Sequence, residues 1–190
     1  MPAWVGRMAI LKLNRSTKPH AREGMGLKAF KMAAMSSDSP LTPLDPFKGI
    51  GSGGAWIPNN PHSERLRVYH FHRASDDTLV ARVWFGAGTE GPPGHAHGGS
   101  IASVLDEAMG AAAWHAGHRV IAARITVDFR KMVPIGMTAT IEARVEAIHG
   151  RKIHTRARMT DAEGALCASS EGLFIVLKPE QLARLTNFNE

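Results

Sequence analysis

One helical segment, from about Gly99 to His115, limits the folds open to this chain more than any other feature. Its apolar residues cover nearly the whole circumference of the helix, and its charged residues are the adjacent Asp106 and Glu107. A helix that is apolar all round belongs in a protein core, so other elements must wrap around it. The glycine- and proline-rich stretch "GPPGHAHGG" leads directly into this helix and predicts a loop.

Alternating segments on both sides of the helix predict the elements that wrap it. Residues 138–147 alternate strictly between apolar and polar side chains, which predicts a strand with one buried and one solvated face. Strand patterns also occur in five further segments: 65–74, 79–85, 119–131, 151–160 and 165–177. The sequence "DAEG" joins the last two as a hairpin turn. An antiparallel sheet of five or six strands wrapped around one long buried helix is an α+β fold.

The net charge of +6 does not come from the predicted domain. Residues 1–48 carry eight Lys or Arg against three acids, a balance of +5, whereas residues 49–190 carry fifteen against fourteen, a balance of +1. Nucleic-acid binding needs a basic face on the domain itself, so we expect no nucleic-acid partner. No apolar run approaches the roughly 18 residues of a membrane span. The single cysteine, Cys167, excludes an internal disulfide and is expected to be a small packing residue.

Composition divides the chain into four parts. Residues 1–40 form a basic leader that we expect to be flexible, and residues 41–60 form a Pro/Gly-rich linker. The domain extends over residues 61–180, and residues 181–190 form a C-terminal tail. A flexible leader on a cytoplasmic protein is the preferred interpretation. A mitochondrial presequence is the alternative, since such presequences are also basic and poor in acids.

The loop before the helix has three chemical interpretations that its spacing disfavours. His95 and His97, like His70 and His72, are spaced as two ligands on one strand face. The next acid after them is Asp106, too far along the chain for a cupin-type metal site, so we expect no metal. The glycine patterns of phosphate-binding loops and the GxSxG pattern of a nucleophilic serine do not occur there.

The helix start and the acid inside the helix form the remaining candidate site. Gly98 and Gly99 present backbone N–H groups at the positive end of the helix dipole, an arrangement that stabilises an oxyanion. Burial raises the pKa of a carboxyl group such as that of Asp106, and a purely structural role for this acid stays open. Glu107 lies about 100° further round the helix and is expected to face solvent.

The distance between these two groups predicts the assembly. Eight residues separate Gly98 from Asp106, which places them about 12 Å apart along one helix. A donor and a base must both come within about 3 Å of one reacting carbonyl. Two antiparallel copies of the helix related by a twofold axis meet this condition, so the spacing predicts a homodimer with two shared sites.

The stretches "GPPGHAHGGSIASVLDEAMG", "ITVDFRKMVPIG" and "GRKIHTRARMTDAEGALCASSEGLFIVLKP" resemble the hotdog-fold acyl-CoA thioesterases. The similarity is greatest to the phenylacetate-pathway type and to the mitochondrial-type acyl-CoA thioesterase branch, and it covers residues 60–178. It implies a homodimer that often pairs into a tetramer, an acyl-CoA thioester as substrate, and no cofactor.

The resemblance also implies roles for individual residues. Asp106 would activate a water molecule or attack the thioester carbonyl directly. The backbone N–H of Gly98 would stabilise the oxyanion, while Gly99 and His97 shape the loop. Glu107 is a neighbouring acid whose contribution the sequence leaves open.

This chain differs from the family pattern on the strand after the helix. Relatives often place a Ser or Thr on the strand after the helix, where this chain has Ala122. Thr126 is the nearest hydroxyl, is expected on the same strand face, and is the candidate for positioning water. A non-catalytic acyl-CoA-binding or regulatory hotdog domain therefore remains an alternative.

Basic residues expected to meet the CoA phosphates are Arg130, Lys131, Arg151 and Lys152.

Overall fold

The computed structural model describes residues 40–47, 57, 60 and 62–186. The predicted basic leader lies outside the described residues except for Pro40, and so does the choice between presequence and cytoplasmic leader. The elements in chain order are β1 (Leu41–Leu44), β2 (Leu66–Arg73), β3 (Thr78–Phe85), a short 3-10 helix (Ala87–Thr89), α1 (Gly98–His115), β4 (Val120–Phe129), β5 (Thr138–His149), β6 (Lys152–Thr160), β7 (Leu166–Val176) and α2 (Pro179–Thr186).

The strands form one antiparallel sheet in the order β1-β2-β3-β5-β6-β7-β4. All six strands predicted from the sequence are present, and α1 packs on the inner face of the sheet. The predicted α+β architecture, an antiparallel sheet wrapped around one long helix, is confirmed. β4 follows the helix in the chain yet lies at the edge of the sheet, beside β7.

The predicted linker contributes a seventh strand. Residues Leu41–Leu44 pair with β2, with Leu41 opposite Arg73 and Leu44 opposite His70. The prolines around this segment favour a loop from sequence alone, but an edge strand tolerates Pro43 because one of its sides makes no ladder hydrogen bonds. The linker interpretation does not hold for these four residues.

Hydrogen bonds define both ends of α1. The ring nitrogen Nδ1 of His97 accepts the N–H of Gly99 at 2.9 Å, so His97 caps the first turn. At the other end Gly117 has φ +88°, and its N–H donates to the carbonyl of Trp114 at 3.0 Å. This is the left-handed glycine cap that commonly ends a helix. The helix therefore ends where the sequence predicts and begins one residue earlier.

The core lies between α1 and the inner face of the sheet. Each fully buried aliphatic or aromatic side chain contributes about 1.5–3 kcal/mol relative to an exposed one. The largest such side chains come from the helix and the central strands: Leu79, Phe85, Leu105, Met109, Ile141, Ile153 and Met159. Cys167 is 1% exposed and lies at the start of β7, as expected for a packing residue.

The hairpin turn predicted at residues 161–164 joins β6 to β7. Gly164 has φ +83°, and the N–H of Asp161 donates to the carbonyl of Ala165 at 3.0 Å. After β7, most of the predicted tail is helical, because α2 continues to Thr186. Within the described part of the chain, no helix has both the length and the hydropathy of a membrane span.

Candidate active site

One face of α1 lines a cavity of about 590 Å³. Residues three or four positions apart share a face of a helix, which brings five residues of α1 to this surface: Ser103, Asp106, Glu107, Gly110 and Trp114. The opposite walls are mainly apolar and come from β4, β7 and the segment after β1: Val120, Ala122, Phe174 and Phe47. The cavity therefore suits an apolar ligand that presents one polar group to the acids.

Asp106 places a poorly stabilised carboxylate in this cavity. Its Oδ1 atom is buried and accepts no hydrogen bond within the described residues. Burial raises the pKa of Asp106 above its ordinary value, in the direction expected from the sequence. Because burial rather than a charged neighbour sets this pKa, the structure gives no support to Asp106 as the partner of an arginine. A carboxylate in this state is available to take a proton.

The expectation that Glu107 faces solvent is wrong. Glu107 is 8% exposed, and its Oε2 accepts the N–H of Ile57 at 2.9 Å. Burial raises the pKa of Glu107 to about 7; the Ile57 N–H opposes this shift, and the charge of Asp106 adds to it. The error arises because Ile57 is fifty residues away in the sequence, and helical spacing alone does not show what lies opposite a side chain.

Backbone contacts hold the loop before α1 close to the rest of the domain. The N–H of His97 donates to Thr89 at 2.7 Å, and the N–H of Ala96 donates to Val133 at 2.8 Å. Gly91 lies so near His97 that a Cβ on it would be 2.8 Å from the His97 Cα. A larger residue at Gly91 would displace this loop, so the glycine fixes the approach to the helix start.

Among the described residues, only one of the two glycines that open α1 has an N–H without an acceptor. The N–H of Gly99 donates to His97, which corrects the expectation that both glycines offer free donors. The N–H of Gly98 has no acceptor within the residues that the structure describes. Gly98 also borders the ring of Phe129, since a Cβ on it would lie 3.4 Å from Cζ of that ring.

A β-bulge in β4 decides which of its side chains face the cavity. The pairing with β7 shifts after Ala122, so Ala123 has no partner. Ala122 lies opposite Phe174 and lines the cavity, whereas Thr126 lies opposite the exposed Glu171. Residues directly opposite each other share a face of the sheet. The expectation that Thr126 shares the face of Ala122 is therefore wrong, because the extra residue inverts the alternation.

Residues 93–168 hold the loop, α1 and the strands up to the start of β7, and they match the family described as the thioesterase superfamily. This part of the chain therefore resembles the thioesterase superfamily. A crystal structure of a thioesterase superfamily protein is 31% identical, with a TM-score of 0.55, over 57% of this chain and 53% of that one. The hotdog fold inferred from the sequence is confirmed.

Two curated relatives carry an activity in their names. The acyl-coenzyme A thioesterase THEM4 of Xenopus laevis is 34% identical over 110 residues, which are 57% of this chain and 50% of that protein. The acyl-coenzyme A thioesterase THEM5 of Mus musculus is 32% identical over 116 residues, 60% of this chain and 46% of that protein. The chain spans about half the length of the curated relatives that it matches.

Ser103 lines the cavity and was not predicted from the sequence. It precedes Asp106 by three positions and lies on the same helix face. Its Oγ donates to the carbonyl of Gly99 at 2.8 Å, so the hydroxyl lies between the helix start and the acid. Its spacing of three residues from Asp106 places both side chains on one helix face. This spacing identifies Ser103 as a cavity residue only when the face of α1 that lines the cavity is known.

Within one chain, the four predicted CoA-binding residues lie in two separate places. Arg130 and Lys131 follow β4, and both donate their N–H groups to Cys167 at the start of β7. Arg151 and Lys152 lie near the other end of β7, where Arg151 Nε donates to the carbonyl of Val176. Lys131 is also bound to Asp161 at 2.5 Å. One chain therefore does not bring the two pairs into a single phosphate site.

The histidines of the two candidate metal-binding pairs, 95/97 and 70/72, make different contacts. His97 caps α1 through Nδ1, while Nδ1 of His95 lies 2.9 Å from the carbonyl of Pro93. His70 is buried, and burial lowers its pKa to about 4, although the charge of Asp45 opposes the shift. The described residues form one group of three potential metal ligands, and it contains neither the 95/97 pair nor both histidines of the 70/72 pair.

Proposed function

We propose that this chain hydrolyses acyl-CoA thioesters to a free acid and CoA. The observation that carries the proposal is the buried oxygen of Asp106, which has no hydrogen-bond partner among the described residues and lies in an apolar cavity. The names of the two relatives supply the substrate class. Acyl-CoA and water are the reactants, so the proposal requires no cofactor.

Asp106 acts as the base or as the nucleophile of the reaction. As base, it takes a proton from water while the water oxygen attacks the thioester carbonyl; the tetrahedral intermediate then collapses and expels the CoA thiolate, which takes up the proton. As nucleophile, its carboxylate attacks the thioester carbonyl and expels the CoA thiolate, which leaves an acyl-enzyme anhydride. Water then hydrolyses the anhydride to the free acid and the regenerated carboxylate, and the thiolate takes up the proton released. Because burial raises the pKa of Asp106, its carboxylate is a stronger base than an exposed aspartate.

The oxyanion donor in this proposal is the partner subunit's Gly98. Its N–H lies at the positive end of α1 and has no acceptor among the described residues, as an oxyanion donor requires. Two helical turns separate Gly98 from Asp106 in one chain, about 12 Å, so one carbonyl does not contact both. In a twofold dimer with antiparallel helices, each acid meets the other chain's donor.

The edge strand β4 supports a dimer. It pairs with β7 on one side, and no described strand covers its other side. An uncovered edge is a template for pairing with another strand. Ile121 and Phe129 of this strand are 50% and 55% exposed, and a second copy would bury them. Phe129 also borders Gly98, so this edge lies beside the proposed oxyanion donor.

The acyl group occupies the cavity in this proposal, and the CoA phosphates lie outside it. Phe47, Trp114 and Phe174 provide apolar surface for an acyl or aryl chain. Arg130 follows Phe129 and is exposed, which places a guanidinium near the helix start. Lys131 and Arg151 make hydrogen bonds of 2.5 and 3.0 Å within their own chain, whereas Arg130 has a looser ion pair with Asp128 at 3.7 Å. Arg130 and Lys152 are therefore the better candidates for phosphate contacts.

A non-catalytic acyl-CoA-binding or regulatory domain is the alternative. The observation that favours it is Ala122, which leaves the cavity-facing side of β4 without a hydroxyl beside the acid. Acyl-CoA binding would then occur without release of CoA.

Free CoA released from a panel of acyl-CoA thioesters tests the proposal. We expect the wild-type chain to release CoA and Asp106→Asn to lose about 10²–10⁴-fold in kcat while folding normally. Glu163→Gln, a change of an exposed carboxylate to an amide, serves as the matched control. Substrate binding without CoA release in the wild type establishes the alternative, and full turnover by Asp106→Asn contradicts the role of Asp106.

A further inference from the structure

A cluster of three potential metal ligands lies at the far end of α1 from the helix start. His72 of β2, Asp77 of the β2–β3 turn and His115, the last residue of α1, each offer one ligand atom within 4.8 Å of the others. His72 Nε2 lies 2.8 Å from Asp77 Oδ1, and the rings of His72 and His115 have centroids 4.3 Å apart. His115 is far from the other two residues in the sequence, and the spacing of His72 and Asp77 alone does not reveal the group.

The backbone supports the position of each ligand. The side chains of a strand alternate between its faces, so His72 shares with the buried His70 the face of β2 that points toward α1. Asp77 has φ +53°, a conformation that aspartate tolerates better than most residues. His115 is placed by the glycine cap that ends α1, so the histidine lies where the helix meets the turn.

The electrostatic setting favours a cation. Among the ion pairs of the described residues, three carboxylates lie around this turn, those of Asp76, Asp77 and Glu142, with the guanidinium of Arg73. Arg73 binds Asp76 and Glu142, which leaves the Asp77 carboxylate to His72. The carbonyl end of α1 adds partial negative charge beside His115.

We infer that His72, Asp77 and His115 form a binding site for one divalent transition-metal ion, Zn²⁺ being the best match. Two imidazoles and one carboxylate are ligands that zinc binds readily, and three protein ligands leave a fourth position for water. Asp106 and His115 are nine residues apart on α1, about 13 Å, so the ion takes no part in the proposed hydrolysis. The inference is independent of that function.

Zinc binding by the full chain without a histidine tag, stripped of metal with a chelator, tests this inference. Isothermal titration with Zn²⁺ and the visible absorption of Co²⁺ are expected to show one ion per chain. His115→Ala and Asp77→Asn are each expected to weaken binding at least about tenfold, the loss seen even for outer-shell partners. Asparagine also tolerates the backbone conformation of Asp77, so that variant keeps the turn.

A second histidine pair provides the matched control. The rings of His149 and His154 lie 5.6 Å apart and form no three-residue group with a carboxylate in the described part of the chain. His149→Ala should leave the affinity for zinc unchanged. Zinc should raise the Tm of the wild type and of His149→Ala but not that of His115→Ala. The inference is wrong if wild type binds no ion, if His149→Ala abolishes binding, or if folded His115→Ala and Asp77→Asn bind like wild type.

Discussion

The N–H of Ile57 donates a 2.9 Å hydrogen bond to Oε2 of Glu107, so a segment fifty residues earlier in the chain closes over an acid of the central helix. The other carboxyl oxygen of Glu107 is buried without a partner among the described residues. Glu107 therefore costs folding energy when it is ionised, and Asp106 lies beside it in the same cavity.

Glu107→Gln should stabilise the protein at neutral and alkaline pH. Folding raises the pKa of Glu107 from 4.5 to about 7, so the folded chain holds this proton more tightly. The stabilisation is complete below the unfolded value of 4.5 and is lost as the pH rises through about 7. Glutamine keeps an acceptor for Ile57 and carries no charge. Denaturant unfolding should show an advantage for the variant on the order of 3 kcal/mol at alkaline pH.

The matched control for this stability difference is Glu163→Gln, in which the same change is made at an exposed position. Its stability is measured over the same pH range as that of Glu107→Gln. A stability difference for Glu107→Gln that does not change with pH contradicts the raised pKa of Glu107.

Gly98→Pro should abolish turnover while Gly98→Ala retains it. Proline is tolerated at the first position of a helix and removes the N–H proposed as the oxyanion donor. His97 has φ −64° and ψ 139°, the extended conformation that a residue before proline prefers. Loss of one such donor lowers kcat about 10²–10³-fold. The alanine variant keeps the donor and places Cβ 3.4 Å from Phe129. Equal kcat values for the two variants would exclude this N–H from the reaction.

Mixing the two inactive variants should restore activity if the sites are shared between chains. In a mixed dimer of Gly98→Pro and Asp106→Asn chains, one of the two sites has an intact donor and an intact acid. After random exchange of equal amounts, about a quarter of all sites should be active. CoA release before and after subunit exchange measures this. A mixture that stays inactive despite proven exchange places donor and acid in the same chain.

Ser103→Ala should lower kcat about tenfold, whereas Thr126→Val should leave it unchanged. The Ser103 hydroxyl lines the cavity three positions before Asp106, and one hydrogen bond lost from the transition state costs about 1.4 kcal/mol. Thr126 lies on the opposite face of the bulged strand. Both changes remove one hydroxyl, so steady-state kinetics of the pair compare the two positions directly. A larger loss for Thr126→Val would overturn the assignment of faces in β4.

His97→Ala should destabilise the domain by about 1 kcal/mol, because it removes the side-chain cap from α1. His97→Asn should recover most of this loss, since asparagine is among the best capping residues. Thermal unfolding should place the alanine variant a few degrees below wild type, with the asparagine variant between them. An asparagine variant no better than alanine would mean that the His97 ring acts by packing rather than as an acceptor.

Alternation between neighbouring residues predicted the six main strands, and an apolar surface around nearly the whole circumference predicted the buried helix. Periodicity did not predict the burial of Glu107 or the face of Thr126. The first depends on Ile57, which contacts the helix from far away in the sequence. The second depends on Ala123, whose side chain gives no sign that the strand will bulge there. Strand β1 was missed because its hydrogen bonds come from β2 rather than from a pattern of its own.

β1 and Ile57 show that the folded domain is longer than the segment matched by the family. The family match ends at residue 93 on its N-terminal side, yet β1, β2, β3 and the hydrogen bond to Glu107 come from residues before it. A chain trimmed to the matched residues would lose three of its seven strands and leave a buried acid without its donor. The family similarity lies in the helix and the strands that follow it, but residues before the match complete the sheet and bind the buried acid of the helix.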